Sequence, residues 1–300
     1  MDALDADGGK HAFVLVFCPH CGAGSLEDPP SDEQLAGYYR TDYFGLQRRK
    51  FLAPVQWFFD IGKRRLARAV LSSLPRGAVP RVLDVGCGTG QLLVELERLG
   101  AVAIGTERAG AASRTVRPGL LVLEGELDDC LPGIGRVDAI VIWHVLEHLR
   151  DPAAALQTAR GLLPPDGLLF VAVPNSASWQ ARLFGRYWFH LDVPRHLHFL
   201  TRQGLVSALQ SQGFVSEHVG TLQWSQALFG FIQSALNVAA PGRPNRLYRL
   251  LREPLRPSGL AELALWSLAA SLLLPLAVIE TVASAALGAG AVCVIRARKA

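Results

Sequence analysis

Residues 81–90 read Arg-Val-Leu-Asp-Val-Gly-Cys-Gly-Thr-Gly and carry the strongest structural signal in the chain. A short apolar run, 82–85, leads directly into glycines at the alternate positions 86, 88 and 90, and a helical pattern, 91–96, follows at once. Glycine tolerates positive φ and has no Cβ, so such a loop lets the backbone approach a ligand closely. The stretch therefore predicts the strand, loop and helix of an α/β fold that holds a nucleotide-like molecule.

Two acidic residues indicate which ligand this loop suits. Glu107 stands 21 residues after Gly86, just after the next apolar run, where a carboxylate accepts hydrogen bonds from ribose hydroxyls. Asp84 precedes the loop, where it would repel a pyrophosphate but suit an amino group. A dinucleotide loop would also need glycine where Gln91 stands. The pattern favours S-adenosylmethionine (SAM) over NAD; the alternative is a glycine turn without a ligand.

Further motifs follow in order along the chain: Gly-Glu-Leu-Asp-Asp at 125–129, a strand and turn at 137–149, and a second strand with its lead-in at 162–175. With residues 82–90 they resemble the motifs of class I SAM-dependent methyltransferases, in particular the subgroup similar to ubiquinone-biosynthesis O-methyltransferases. The resemblance covers about residues 78–220 well, and it implies SAM as the cofactor.

The strand and helix patterns agree with that resemblance. We predict strands near 81–85, 102–106, 120–123, 137–142, 167–173 and 214–219, and helices near 90–99, 109–115, 152–163 and 202–212. Such alternation predicts βαβ units in a parallel sheet. The resemblance implies a Rossmann-like, doubly wound, mostly parallel sheet whose last strand, 291–296, runs antiparallel. We therefore expect an α/β fold with a helical N-terminal segment and an apolar helical insertion before that last strand.

The resemblance also implies roles in cofactor binding. Asp84 would face the methionine amino group, the loop backbone would approach the cofactor, and Glu107 would hold the ribose. Leu127 and Asp128 would border the adenine, and His144 would lie beside the methionine part. The expected cofactor-binding residues are Asp84, Gly86, Cys87, Gly88, Gly90, Glu107, Leu127, Asp128 and His144.

Two histidines are candidate catalytic bases, because imidazole titrates near neutral pH and an oxygen acceptor must lose a proton. His148 follows His144 by four residues, so on a helical turn both would face one side. His196 is the second candidate, and Tyr187, Trp188 and His190 are candidates for lining the acceptor pocket. A purely structural role is the alternative for each histidine.

The same segment also matches a zinc-protease pattern. His-Val-Leu-Glu-His at 144–148 has the spacing H-x-x-E-H. That pattern needs a long helix, whereas here it directly follows a strand and Asp151-Pro152 restarts the chain. The metalloprotease interpretation is therefore disfavoured.

The N-terminal region, 1–75, is expected to be a degenerate zinc-ribbon-like segment followed by a helical lid. Cys18-Pro-His-Cys21 offers two ligands where a structural zinc site needs four, so we expect no metal. A zinc-dependent interaction module is the alternative. Residues 34–72 read as helical, and the aromatic run 38–44 is a candidate lid over the SAM site, or else core packing. Lys63, Arg64, Arg65 and Arg68 read as a solvated helix face.

The insertion, 221–290, has a different composition from the core, 76–220, which 291–300 would complete. Residues 219–242 contain no Asp, Glu, Lys or Arg; arginines then stand at 243, 246, 249, 252 and 256; and 263–279 contain no charge. A membrane-spanning helix needs about 20 apolar residues, so this run is marginal. We expect the insertion to lie on a membrane interface or re-enter it; the alternative is an apolar cap on the domain or at a dimer interface.

Composition restricts the remaining possibilities. Hydrophobic residues make up 50% of the 300 residues, and the net charge of +4 requires no nucleic-acid partner. The acidic N-terminus does not resemble a secretory signal, and five unpatterned cysteines indicate a reducing cytoplasm, with the membrane's inner face as the alternative location. We expect a methyltransferase acting on the oxygen of a small-molecule, lipid or lipid-linked acceptor. The alternatives are a non-catalytic SAM-binding regulatory or assembly protein and an NAD-dependent oxidoreductase.

Overall fold

The computed structural model describes residues 2–4, 12–39, 53–108, 117–252 and 257–300. The chain forms two compact units. We call one the core unit, which comprises Gln47–Val173, Leu205–Val219 and Val294–Ala300. The other, the accessory unit, comprises Met1–Leu46, Pro174–Gly204 and Gly220–Cys293.

The secondary-structure elements are numbered in chain order. The strands are β1 Asp2–Leu4, β2 Ala12–Phe17, β3 Gly24–Leu26, β4 Arg81–Val85, β5 Val102–Glu107, β6 Leu121–Glu124, β7 Ala139–Trp143, β8 Leu168–Pro174, β9 His198–Phe199, β10 Phe214–Gly220 and β11 Val292–Lys299. The α-helices are α1 Asp32–Tyr38, α2 Ala53–Ser72, α3 Gln91–Arg98, α4 Leu127–Ile134, α5 Pro152–Leu162, α6 Trp179–Phe184, α7 Arg202–Ser211, α8 Trp224–Ala239, α9 Arg246–Leu250 and α10 Pro257–Ala286. Short 3-10 helices cover Leu146–His148, Gly185–Tyr187 and Phe189–Leu191.

The core unit is built on a seven-stranded sheet of order β10-β11-β8-β7-β4-β5-β6. The pairs β4–β5, β4–β7, β5–β6 and β7–β8 are parallel. Strand β11 is antiparallel to β8: the N–H of Asn175, just after β8, bonds to the carbonyl of Ala291, and the N–H of Lys299 bonds to that of Gly167, both at 2.9 Å. The predicted mostly parallel, Rossmann-like sheet with an antiparallel last strand is confirmed.

Burial explains why β4 lies in the interior of this sheet and not at an edge. Every residue of β4 after Arg81 is buried, as expected for a strand covered on both faces. Helix α3 follows the glycine loop and packs against α2. Together they bury one apolar cluster, formed in part by Leu66, Ala67, Val70, Val82, Leu92, Leu93 and Leu96. The carboxyl end of β4, and with it the glycine loop, is thereby fixed at the topological switch point between β5 and β7.

The accessory unit contains a small sheet of order β1-β2-β3-β9, which the sequence patterns did not predict. Its registered pairs are antiparallel, and the Cys18–Cys21 turn joins β2 to β3. The rest of this unit is helical, with α8 in contact with α6, α10 and the 3-10 helix Phe189–Leu191.

The predicted helical regions agree only in part with the structure. The helix expected over 34–72 is two helices, α1 and α2, and residues 40–52, including Tyr43 and Phe44 of the expected lid, lie outside the described residues. The helix expected at 109–115 also lies outside them. The segment 125–129, expected as a turn, leads into a helix that the sequence patterns missed, because α4 begins at Leu127.

In the apolar insertion, the two uncharged runs on either side of Glu280 belong to one helix as far as Ala286. Its segment Gly259–Ala286 is 28 residues long with a mean hydropathy of 1.9, so by length and composition it is able to cross a membrane. Only 6% of its most apolar window is buried in the protein.

Candidate active site

The glycine loop after β4 has a backbone that requires glycine. Gly86, Gly88 and Gly90 have φ of 66°, 57° and 74°, a region that L-residues rarely adopt. A Cβ on Gly86 would lie 2.5 Å from Cγ2 of Val145. The N–H of Cys87 donates to the carbonyl of Thr106 at 2.9 Å, which ties the loop to β5. The loop therefore packs tightly on one side, whereas a Cβ on Gly88 would meet no atom within 4 Å.

Glu107 ends β5 and is hydrogen-bonded to this loop. Its Oε2 accepts from the N–H of Gly88 at 2.7 Å, and its Oε1 accepts from the N–H of Arg108 at 3.0 Å. Burial raises the pKa of Glu107, and these two N–H donors oppose that rise. The carboxylate is thus held in a fixed orientation at the carboxyl edge of the sheet.

Asp84 is the second buried acid, only 2% exposed. Its Oδ2 has no hydrogen-bond partner among the residues that the structure describes. Burial raises the pKa of Asp84 to about 6; the ammonium of Lys63 opposes the rise and the charge of Glu107 adds to it. Two neighbouring carboxylates that destabilise each other's charge favour a cationic ligand.

These residues fit SAM. An ammonium group would supply the donor that Oδ2 of Asp84 lacks, and the open side of Gly88 leaves its backbone accessible. SAM carries a sulfonium and an ammonium against one carboxylate, so its net charge matches an acidic site. A pyrophosphate, in contrast, would place negative charge against a buried aspartate.

The residues expected on the adenine side lie at the start of α4. Leu127 is buried in the first turn of this helix. Asp128 is exposed, and its Oδ1 accepts a hydrogen bond from the hydroxyl of Thr158 on α5 at 2.6 Å. The structure therefore places an apolar side chain and an anchored carboxylate at this position.

His144 lies at the end of β7 in a left-handed conformation with φ of 59°. Its Nδ1 is 3.4 Å from Oε1 of the buried Glu147, and its N–H donates to the carbonyl of Ala172 at 2.8 Å. His148, partly buried, ends the 3-10 helix Leu146–His148. The prediction that His144 and His148 share one face of a helical turn is wrong, because His144 precedes that turn and a 3-10 helix has a period of three.

His196 belongs to the accessory unit and is buried. Its Nδ1 is 2.9 Å from the carbonyl oxygen of His190, and its Nε2 is 4.0 Å from Oδ2 of Asp192. A carbonyl only accepts, so Nδ1 carries the proton and Nε2 is the basic nitrogen of the neutral ring. The geometry therefore gives His196 the tautomer of a general base.

The residues expected to line an acceptor pocket lie in a cluster of rings in the accessory unit. Trp188 and His190 are buried, with ring centroids 5.6 Å apart. Nε2 of His190 is 3.0 Å from the carbonyl of Gln226, and a Cβ on Gly230 of α8 would lie 2.4 Å from that nitrogen. Tyr187 is less buried than these two rings. Gly230 allows α8 to pack directly on this cluster.

The Cys18–Cys21 segment forms a tight turn. Gly22 donates its N–H to the carbonyl of Cys18 at 2.9 Å, and Cys18 donates to Ala23 at 2.7 Å. Cys18 is exposed, and hydrogen bonds from the backbone of Cys21 and His20 lower the pKa of its thiol. The other three cysteines, Cys87, Cys130 and Cys293, are buried and lie far from this turn in the sequence.

Residues 58–219 match the family described as the methyltransferase domain, which is more than half of the chain. The chain belongs to this methyltransferase family. It is a class I, SAM-dependent methyltransferase.

Among curated proteins, this methyltransferase is similar to the ubiquinone biosynthesis O-methyltransferase of Cereibacter sphaeroides. The two are 31% identical over 146 residues, which cover 44% of this chain and 59% of that protein. The protein of the same name from Xanthomonas axonopodis is 30% identical over 159 residues, covering 48% and 66%. The matches thus span less than two thirds of each relative.

Among solved structures, the methyltransferase is similar in fold to a mycolic acid cyclopropane synthase complexed with SAH, with a TM-score of 0.55 and 17% identity over 91% of this chain and 100% of that one. A SAM-dependent methyltransferase from Thermotoga maritima gives a TM-score of 0.50 and 18% identity over 89% and 98%. At this identity the similarity shows the fold alone.

Two basic residues of the methyltransferase were not predicted as part of this region. Lys63 acts on the charge of Asp84, and Nε of Arg64 lies 3.0 Å from Oε1 of Glu95, a carboxylate that is 4% exposed. The prediction of a solvated face agrees with the exposed Arg65 and Arg68 and with the Arg64 side chain, which is 43% exposed, whereas Lys63 is partly buried and acts on a buried acid. The available signal was the spacing 63, 66, 67 and 70, which places Lys63 on the buried stripe of α2.

Proposed function

We propose that this methyltransferase transfers the methyl group of SAM to an oxygen of a small-molecule, lipid or lipid-linked acceptor. The observation that carries the cofactor half of this proposal is the buried pair of acids, Asp84 and Glu107, with the unpartnered Oδ2 of Asp84 beside the glycine loop. The relatives named as O-methyltransferases support oxygen as the accepting atom.

The carboxylates divide the recognition of SAM between them. Asp84 would accept hydrogen bonds from the ammonium group, directly or through water. Each oxygen of Glu107 accepts one backbone N–H, and since a carboxylate oxygen has more than one lone pair, it could also accept from a ribose hydroxyl. Leu127 and Asp128 would border the adenine, His144 would lie beside the methionine part, and the backbone of the loop 86–90 would contact the cofactor.

SAM supplies an electrophilic methyl group when it is bound. The protein has to align the acceptor oxygen with that group and exclude competing water, which accounts for a large part of the rate in such transfers. A base has to take the proton of the acceptor hydroxyl. His148 is our first candidate and His196, with Nε2 as its basic nitrogen, is the second.

The acceptor class is proposed from two features of different kinds. The relatives bear the name of ubiquinone biosynthesis, which supports an acceptor related to a quinone. The insertion 221–290 exposes a long apolar helix, α10, which suits contact with a membrane that stores such molecules. We therefore place the enzyme at the inner face of a membrane.

A transfer assay with matched acceptors tests this function. The whole chain would be incubated with methyl-labelled SAM and catechols that carry isoprenoid tails of increasing length. Controls are the same compounds with both hydroxyls already methylated and the corresponding anilines. We expect label in an ether methyl group of the tailed catechols and none in the methylated controls. Label on nitrogen or carbon would contradict the proposal, and SAM binding without any transfer would favour a regulatory protein.

Substitution of the two histidines separates a base from a structural residue. We expect the catalytic base, changed to Asn, to lower kcat by about 100-fold or more while the Kd for SAM stays unchanged. The rate that remains should lose the acidic limb of its pH profile. A fall in SAM affinity or in thermal stability of the same variant would instead assign it a structural role.

A further inference from the structure

Helix α10 presents one continuous apolar face to its surroundings. We define the outer stripe as six residues that are 50–73% exposed: Leu265, Leu268, Leu272, Leu276, Ile279 and Val282. Their spacing of three and four residues places them on one side of the helix. An apolar surface of this length is uncommon on a protein that meets only water.

The charges of α10 lie away from the outer stripe. Glu262 is paired with the guanidinium groups of Arg246 and Arg243, with Nε of Arg246 at 2.8 Å from Oε1. Glu280 accepts a hydrogen bond from the buried Gln180 at 2.7 Å. Both carboxylates therefore bond toward neighbouring elements of the accessory unit, and the stripe itself carries no charge.

The packing of α8 indicates that α10 does not cross a bilayer. Helix α8 contacts α10, and it also contacts α6 and the 3-10 helices 185–187 and 189–191. Helix α6 carries Arg182, and the 3-10 helix 185–187 carries Arg186; both arginines are exposed. A crossing orientation of α10 would carry its partners, and these arginines, into hydrocarbon, at a large cost in free energy. An orientation along the surface keeps them in water.

A cluster of arginines lies beside the start of α10. Gly242, Arg243, Arg246, Arg249 and Glu262 line a cavity of about 380 Å³. Three guanidinium groups against one carboxylate leave it with net positive charge. Arg252 follows, with its guanidinium 4.8 Å from the ring centre of Tyr248. This charge is complementary to the phosphates of anionic lipid headgroups.

We propose that the outer stripe and this arginine cluster form a docking surface for one leaflet of an anionic lipid bilayer. The stripe lies parallel to the membrane among the upper acyl chains, and the arginines bind headgroup phosphates. Lipid is favoured over a second copy of the chain because headgroup phosphates complement the arginine cluster at the end of the stripe, whereas a second copy of α10 would bring an uncharged stripe and further arginines. This inference deepens the membrane location given in the proposed function and rests on it, but it does not depend on the cofactor site.

Vesicle sedimentation of the whole chain tests the proposal. The two vesicle types are phosphatidylcholine alone and an equal mixture of phosphatidylcholine and phosphatidylglycerol. The test variant combines L268E, L272E and I279E. The matched control combines V79E, L121E and V215E, which replace apolar residues of similar exposure in the core unit. A further variant, R243Q, removes one charge from the cluster.

We expect the wild-type chain and the control to bind the anionic vesicles, and the α10 variant to bind about tenfold more weakly or worse. R243Q should weaken binding to anionic vesicles by about fivefold and leave binding to phosphatidylcholine unchanged. Equal losses in the two triple variants would overturn the proposal. So would dimerisation through the stripe without vesicle binding, or resistance of the membrane-bound protein to alkaline carbonate, which indicates spanning. SAM binding measured on the same variants should not change, so failure here is distinguishable from failure of the cofactor site.

Discussion

At the scale of single residues, the site contains an acid whose charged form is destabilised by burial. Asp84 is in an interior strand, almost without exposure, and its Oδ2 has no hydrogen-bond partner among the described residues. Such a group costs folding free energy unless a ligand compensates for it. We interpret this cost as the condition for binding a cation tightly, because the ligand's ammonium then replaces the missing partner.

A first prediction is that Asp84→Asn stabilises the ligand-free protein at pH 7 by about 1–3 kcal/mol. The folded-state pKa of about 6 is above the ordinary value of 3.8, so the folded state loses stability as pH rises from 3.8 through 6. The stabilisation by Asn should therefore be full above pH 6 and shrink toward pH 4. Urea unfolding at pH 7.5 and pH 4.5 measures it. An equal difference at both pH values would show that the charge of Asp84 is not its origin.

A second prediction concerns the glycine loop. Gly86→Ala should destabilise the fold by about 1–3 kcal/mol, because it places a Cβ 2.5 Å from Cγ2 of Val145 at a φ of 66°. Gly161→Ala is the matched control, since that residue lies in α5, without positive φ and with no atom within 4 Å of the added Cβ. The free energy of unfolding of the control variant should rise by up to about 1 kcal/mol. Chemical unfolding of both variants is the measurement, and similar effects of the two would contradict the strain.

At the scale of elements, the basic connection between α8 and α10 is held by buried amides. Oδ1 of Asn237 accepts from Nε2 of Gln233 at 2.8 Å and from the N–H of Asn245 at 2.9 Å. The N–H of Tyr248 donates to Oε1 of Gln233 at 2.9 Å. These bonds fix the end of α8 and the start of α9, and so they position the arginines of the proposed docking surface.

A third prediction follows for Asn237→Ala. The change leaves two buried donors without their acceptor, and we expect a loss of about 1–3 kcal/mol. The local opening should expose arginines in the segment 243–252, so trypsin should cut there faster than in the wild-type chain. The neighbouring Val238→Ala, at a position that is 49% exposed, is the control and should change little. Equal cutting rates in the two variants would contradict a role of the amides in holding this segment.

At the scale of the whole molecule, the elements that were predicted correctly are those whose sequence pattern is local. Strands β4, β5, β7 and β8 were predicted closely, because they are mostly buried and therefore read as nearly continuous apolar runs, and the edge strand β6 was predicted to within one residue. The pairing of β3 with β9 was missed, since partners such as Ser25 and His198 lie far apart in the sequence. Helix α4 was missed because Pro132 and Gly133 interrupt its pattern.

The candidate site shows the same division. The glycines and the two acids were evident, because their spacing along β4, its loop and the end of β5 reflects their chemistry. The left-handed backbone of His144 was not evident from the sequence, since this conformation is set by the hydrogen bond to Ala172 and by the turn at 146–148. Lys63 was assigned to solvent, because only the packing of α2 on α3 shows that it faces the buried aspartate.

The measurement that tests the central claim most directly is calorimetric titration of the whole chain with SAM, using NAD as the control ligand. The variants are Asp84→Asn, Glu107→Gln and, as a matched control, Glu97→Gln on the exposed side of α3. We predict binding of SAM but not of NAD, weakened by about tenfold or more in the first two variants and unchanged in the third. Wild-type affinity should also fall below about pH 6, as Asp84 takes up a proton. A folded chain that binds no SAM, or that binds it equally well in all the variants, would contradict the account.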